Sequence, residues 1–284
     1  MFSYTEPAYV RAFIQSALRE DIGEGDHTSL STVPAEAKGT AELKVKDRGV
    51  LAGVELAQAI FKEVDAELVV KVFITDGAWI EPGQVVFEVS GSSQSILRAE
   101  RLVLNCMQRM SGIATYTRSM VNILDGTRAK LLDTRKTTPN FRLAEKWACK
   151  IGGAVNHRYG LFDMILIKDN HVDFAGGIKA ALDKAFSYNE TLAKPLDVMI
   201  EVRNETELDE VLAIGGVKRI MLDNFTPDRL RDAIRKINGR FPTEASGGIN
   251  EKTLRAYGET GVDYISVGAL THQVKSLDLS LKAK

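Results

Sequence analysis

The sequence predicts two kinds of architecture in one chain, an incomplete parallel α/β barrel in the C-terminal part and a smaller α+β domain in the N-terminal part. Three observations lead there. Before about residue 112, apolar and polar residues alternate in short runs broken by Gly, Pro and Asp turns, which is the pattern of an antiparallel sheet. After residue 126 the order becomes apolar strand, polar tip, helix, repeated, which builds a parallel sheet. Polar and charged residues also stand at the C-terminal end of nearly every one of those strands. A barrel places its site at those ends, whereas a doubly wound sheet concentrates it at one switch point.

The composition supports a large folded core. The chain has 284 residues, 44% of them hydrophobic and 26% charged, with a formal net charge of -1. That balance argues against binding nucleic acid or an anionic membrane through a bulk electrostatic field, so any basic feature must be local. No run approaches the ~20 apolar residues that span a bilayer, and Met1 to Pro7 lacks a basic stretch followed by an apolar one. A cytoplasmic protein is expected. Cys106 and Cys149 form no CxxC pair and read as two buried thiols.

A helix is expected from about Glu6 to Glu20. Ala41, Leu43 and Val45 then alternate with Glu42, Lys44 and Lys46, the signature of a strand with one wet face. Val69 to Ile74 and Val85 to Val89 are further strands, set about the turns Asp76-Gly77 and Glu81-Pro82-Gly83. A long helix follows from about Ser95 to Leu124. Its Val103, Cys106, Met107, Met110 and Ala114 form an apolar face, and Arg101, Asn105, Gln108 and Arg109 share a polar stripe that by spacing alone reads as solvated.

The barrel strands are expected at Lys130 to Leu132, Met164 to Ile167, Val198 to Val202, Arg219 to Leu222, Thr243 to Ala245 and Tyr264 to Val267. Helices fit between them at Glu205 to Ile214, at Pro227 to Ile237 with Thr226 as cap, and at Glu251 to Glu259. A complete eightfold barrel takes about 250 residues. This stretch is much shorter, so a reduced barrel of about six strands is expected, with an additional strand possible in Ala154 to Tyr159. The division falls at residues 1–113 and 114–271, and a C-terminal helix over about 272–284 is expected to pack back on the first part.

The strand tips read Asp133-Thr134-Arg135-Lys136, Lys168-Asp169-Asn170-His171, Glu201-Val202-Arg203, Asp223-Asn224, Ser246-Gly247-Gly248 and Gly268. From Asp133 to His171 there are seven Lys or Arg (135, 136, 142, 146, 150, 158, 168) against four acids (133, 145, 163, 169). A cationic excess in a nearly neutral chain points to a strongly anionic ligand, with Arg suited to bidentate carboxylate or phosphate contacts. Ser246-Gly247-Gly248 before a helix, with Gly268 after the next strand, has the glycines and backbone N–H groups of a phosphate site. Neither a P-loop nor a dinucleotide-binding fingerprint is present. Glu201 and Asp223 follow apolar residues and are expected to be partly enclosed. They suit either a structural network with the local Lys and Arg residues, or ribose hydroxyls and a magnesium ion that carries pyrophosphate, because magnesium uses few carboxylates and several substrate oxygens. His157 suits a substrate carboxylate, and His171 reads as structural.

At these residues the sequence resembles the quinolinate phosphoribosyltransferases, type II phosphoribosyltransferases of de novo NAD synthesis. The resemblance runs nearly end to end. It includes Glu20-Asp21-Ile22-Gly23 with Gly25-Asp26 and Thr28, Glu100-Arg101 to Asn105, Ser111 to Thr115 and Asp133 to Pro139. It continues through Gly152-Gly153, Asn156-His157-Arg158, Ile167 to His171, Glu201-Val202, Leu222-Asp223-Asn224, Glu244 to Ile249 and Ser266-Val267-Gly268. It implies a sandwich-like N-terminal domain, an incomplete barrel, and a homodimer in which Arg101 enters the partner's quinolinate site. There it would join Arg135, Lys136, His157, Arg158 and Lys168. Glu201 and Asp223 would serve ribose and magnesium-bound pyrophosphate, Ser246, Gly247, Gly248 and Gly268 would hold the ribose phosphate, and Lys136, Lys168, Glu201 and Asp223 would carry the catalysis. The rival readings are a nicotinate phosphoribosyltransferase, for which the cations exceed what one carboxylate needs, and a non-catalytic carrier or phosphosugar-binding protein. A carrier would need a lysine at an exposed hairpin tip, and the 76–83 stretch has none.

Overall fold

The computed structural model describes residues 5–284. In chain order its first elements are α1 (Pro7–Ile22), α2 (His27–Thr32), β1 (Lys38–Val45), β2 (Gly49–Val50), α3 (Val54–Val64), β3 (Val69–Val72), β4 (Trp79–Ile80), β5 (Val85–Ser92) and α4 (Ser93–Ile123). Next come β6 (Lys130–Leu132), α5 (Arg142–Gly152), β7 (Ile165–Ile167), α6 (Asp169–Ala175), α7 (Ile178–Glu190), β8 (Val198–Val202), α8 (Glu205–Ile214) and β9 (Arg219–Asp223). The chain ends with α9 (Pro227–Ile237), β10 (Thr243–Ser246), α10 (Leu254–Gly258), β11 (Tyr264–Ser266), α11 (Ala269–His272) and β12 (Leu279–Ala283). The described residues form two units. One consists of 5–118, Thr137–Gly153 and Leu270–Lys284, the other of Ser119–Lys136 and Ala154–Ala269.

The first unit is built on an antiparallel sheet in the order β12-β1-β5-β3. Along β1, Ala41, Leu43 and Val45 are buried and their neighbours are not, as the alternation predicts. Leu43 lies opposite Phe87 on one side and Leu281 on the other. The buried face of α3, with Leu56, Ile60 and Phe61, covers the sheet through an edge-on contact of the Phe61 and Phe87 rings at 5.7 Å. Asp76 is more than a turn residue, because its carboxylate accepts the N–H groups of Val54 and Glu55 and so caps α3 from 21 residues away.

The end of the chain differs from expectation. Residues 279–283 are a strand paired with β1, not part of a C-terminal helix. Leu277, Leu279 and Leu281 are buried at period two, and that alternation outweighs the helix propensity of the leucines and lysines around it. The polar stripe on α4 is also only partly solvated. Gln108 donates to the Leu279 carbonyl at 2.8 Å, and Arg109 makes a 2.9 Å ion pair with the fully buried Glu145 of α5. Cys106 and Cys149 are buried and in no disulfide, as expected, and burial pushes the Cys106 thiol up to about 12. A disulfide-exchange reagent at pH 8 is therefore expected to find no reactive thiol in the native protein and two after denaturation. Rapid native labelling of Cys106 would contradict the packing.

The second unit contains the parallel sheet, in the order β6-β11-β10-β9-β8-β7. All six expected strands are present within a residue or two. The stretch 154–159 contributes a single parallel bridge, Val155 to Leu132, on the free side of β6. Among the described residues no ladder joins that end to β7, so the barrel is open there. One face of the sheet is layered: Leu166, Met199 and Met221 form an apolar plug. By strand alternation Lys168, Glu201 and Asp223 stand one layer above it on the same face.

Candidate active site

The strand ends bring together three of the expected polar groups. Lys168, just after β7, donates from Nζ to Glu201 Oε2 at 2.6 Å, and Glu201 is nearly buried at the end of β8. Burial pushes the Glu201 carboxyl above its ordinary range. Lys168 pulls it back, while the nearby charges of Asp223 and Asp169 push the same way as burial. Asp223 lies in register with Ser246 of β10 and accepts its hydroxyl at 2.6 Å, with Asn224 Nδ2 on the other oxygen at 2.6 Å. Gly247 is required at its position, because its φ is +97° and a Cβ would come within 2.2 Å of Asn224 Oδ1. Gly248 follows, also at positive φ, with open space where a Cβ would stand.

A second group gathers at the open side of the sheet. Asp133, fully buried at the end of β6, accepts the His157 N–H at 2.7 Å and Asn156 Nδ2 at 2.6 Å, which fixes the segment after the Val155 bridge. His157 Nδ1 accepts the Arg158 N–H at 2.8 Å. Asp163 takes the N–H groups of Tyr159 and Gly160, and Arg158 Nη1 donates to the Met164 carbonyl at 3.1 Å, closing the 158–164 loop. Arg135 lies close enough to Arg158 to matter electrostatically. Burial pulls the Arg158 guanidinium down, and the like charge of Arg135 adds to that effect against the pull of Asp163. Two buried donors here, Arg135 Nε and His157 Nε2, make no hydrogen bond of good geometry. Such groups are rare in folded proteins and collect at functional sites.

Lys136 is exposed beside Arg135, and Gly268 follows β11. His171 Nδ1 accepts the Lys168 N–H at 3.0 Å, a contact that suits the structural reading of this residue. Arg101 is exposed on α4, in the unit that lacks these strand ends. Among the described residues no three His, Cys, Asp or Glu side chains gather closely enough to hold a metal by themselves. Sequence reasoning gave no individual role to Asp133, Asp163, Arg219 or Glu244. The available signal was a charged residue inside an apolar strand, as in Thr243-Glu244-Ala245-Ser246, where alternation places Glu244 on the face of Ser246.

Two family models cover the chain: "Quinolinate phosphoribosyl transferase, C-terminal domain" matches residues 113–282 and the corresponding N-terminal domain matches residues 26–111. A rice protein named "Nicotinate-nucleotide pyrophosphorylase [carboxylating], chloroplastic" is 47% identical over 97% of this chain and 78% of its own length. A tobacco protein named "Quinolinate phosphoribosyltransferase [decarboxylating] 1b" is 45% identical over 97% of this chain and 83% of its own. The crystal structure of NadC from Streptococcus pyogenes superposes with a TM-score of 0.90 at 38% identity, covering 99% of this chain and 98% of that one. The chain belongs to the quinolinate phosphoribosyltransferase family, the decarboxylating pentosyltransferases of NAD biosynthesis.

Proposed function

We propose that the two groups of strand-end residues divide the reaction between them, one holding the pyridine dicarboxylate and the other the phosphoribosyl donor. The observation that carries this reading is the buried Arg135 Nε, which makes no hydrogen bond, with the charge of Arg135 bearing on the buried Arg158 guanidinium. Cations held against one another need an anion, and quinolinate brings two carboxylates. Lys136 and Lys168 add point charges to the same pocket. Gly247, Gly248 and Gly268 offer backbone donors to the ribose phosphate, and Ser246 would join them by turning its hydroxyl from Asp223.

Glu201 and Asp223 face the ribose in this reading. Their mutual repulsion marks a shared space that suits a cation as well as hydroxyls, so they would hold magnesium largely through water and substrate oxygens. A bound magnesium would offset the charge that develops on departing pyrophosphate. The chain's own residues position the two anions so that the ring nitrogen's lone pair forms the bond to the anomeric carbon as the bond to pyrophosphate oxygen breaks. The ring nitrogen is then positive. The adjacent C–C bond can break to release carbon dioxide, its electron pair remaining on the ring carbon until a proton arrives.

A homodimer in which Arg101 completes the partner's quinolinate pocket is part of the proposal. Its support is the exposure of an arginine that lies within the resembling stretch Glu100 to Asn105. Mixing Arg101→Ala with Lys168→Ala subunits is expected to restore about a quarter of wild-type activity, since random pairing leaves one intact site in half of the dimers. No restoration despite proven subunit exchange would exclude sharing. No helix of the described residues is long and apolar enough to cross a membrane. A cytoplasmic location is proposed, although the rice relative is named chloroplastic.

The direct test follows mononucleotide and carbon dioxide formation from phosphoribosyl pyrophosphate with quinolinate or nicotinate, with and without magnesium. Equal yields of both products from quinolinate, dependent on magnesium, are expected. Turnover without added or bound magnesium would remove the metal from this reading, and unchanged quinolinate kinetics in Arg135→Ala would remove the pocket.

A further inference from the structure

Beneath the quinolinate group lies a buried acid for which the reaction as described has no use. Glu244, the second residue of β10, has 0% exposure, and on its strand it shares a face with Ser246 one layer above. Its Oε2 lies 3.4 Å from His157 Nε2 and 2.9 Å from Arg219 Nη1, and its Oε1 accepts no hydrogen bond. Arg219, the first residue of β9, is backed by the Tyr264 ring of β11 at 3.9 Å. Burial pushes the Glu244 carboxyl up, but the adjacent His157 and Arg219 outweigh burial and hold it below its ordinary range. An ionised carboxylate in such a place is costly unless its partners are fixed.

The tautomer of His157 follows from its other nitrogen. Nδ1 accepts the Arg158 N–H, so in the neutral ring the proton sits on Nε2, the nitrogen that faces Glu244. Arg219 occupies the same carboxylate oxygen and cancels charge that would otherwise repel an anionic substrate. Asp133 fixes the backbone at His157, and Glu244 is the acid that faces its ring.

We infer that Glu244 is a positioning residue for quinolinate, holding the His157 ring from beneath and, through His157 Nδ1, the backbone of Arg158. The inference rests on the reading that His157 and Arg158 bind the dicarboxylate. Its test compares Glu244→Gln, His157→Gln and the double variant, all checked for native circular dichroism. Glu244→Gln is expected to raise KM for quinolinate about tenfold while KM for phosphoribosyl pyrophosphate stays within about twofold, and the double variant should be no worse than His157→Gln alone. Equal rises in both KM values, or additive losses in the double variant, would make Glu244 a general support of the sheet and overturn the inference. If His157→Gln itself leaves quinolinate KM unchanged, the pocket assignment fails first. If only Glu244→Gln is silent, the inference alone fails. Should Glu244→Gln not fold, the nitrogen shifts of His157 in the wild-type protein decide: the Nε2–H form is required, and the Nδ1–H form refutes it.

Discussion

Arg158→Ala is expected to lower kcat/KM for quinolinate by two to three decades, most of it in KM, with the fold and the KM for phosphoribosyl pyrophosphate nearly unchanged. Removing one partner of a desolvated charge pair costs about 2–5 kcal/mol, and each 1.36 kcal/mol is about a factor of ten. Arg158 is 9% exposed, so in the proposed site its guanidinium would meet a substrate carboxylate away from bulk water. The local fold should survive, because Asp163 holds Tyr159 and Gly160 through their backbone and not through the arginine. Lysine at 158 restores charge without the planar fork and should recover only part of the loss. Steady-state kinetics in both substrates check this. An Arg158→Ala enzyme with wild-type quinolinate KM would place the dicarboxylate elsewhere.

Arg109→Met should unfold at a much lower urea concentration than the wild type, with a loss of about 3–5 kcal/mol. Glu145 is fully buried and accepts from Arg109 Nε and Nη2, from the Thr138 N–H at 2.9 Å and from the Thr138 hydroxyl at 3.0 Å. Methionine fills the volume but leaves that carboxylate without its cation. Arg109 Nη1 also donates to the Val274 carbonyl at 2.6 Å, so the variant loosens the chain just before β12 as well. The double change Arg109→Met with Glu145→Gln removes the uncompensated charge and should recover more than half of the loss. Equal stability of the single variant and the wild type would show that Glu145 is satisfied by Thr138 alone.

Arg158 and Arg109 differ in how plainly the sequence announces them. Arg158 stands in a cationic run visible in the sequence, and its proposed role in an anion site follows from its residue type. Arg109 stands in a polar helix stripe that by spacing looks solvated, and only its position opposite Glu145, 36 residues later, shows otherwise. The same division applies to the strands. β6 to β11 were legible because each is a short apolar run ending in a polar tip, and local pattern suffices to place such runs. The strand β12 reads as helix in the sequence, although its leucines alternate, because whether that alternation matters depends on the free edge of β1 across the sheet.

From the sequence alone came the α/β class, the antiparallel N-terminal sheet, the six parallel strands and the list of strand-end residues with the family they resemble. Those follow from periodicity and residue chemistry, which are local properties of the chain. The tertiary structure decided that, among the described residues, the barrel is open between Val155 and β7, that Asp133 and Glu244 face His157, and that Arg135 Nε is buried without a hydrogen bond. Each of these depends on which residues distant in sequence become neighbours when the strands pair. No local pattern encodes that, because register and burial are set by the packing of the whole sheet.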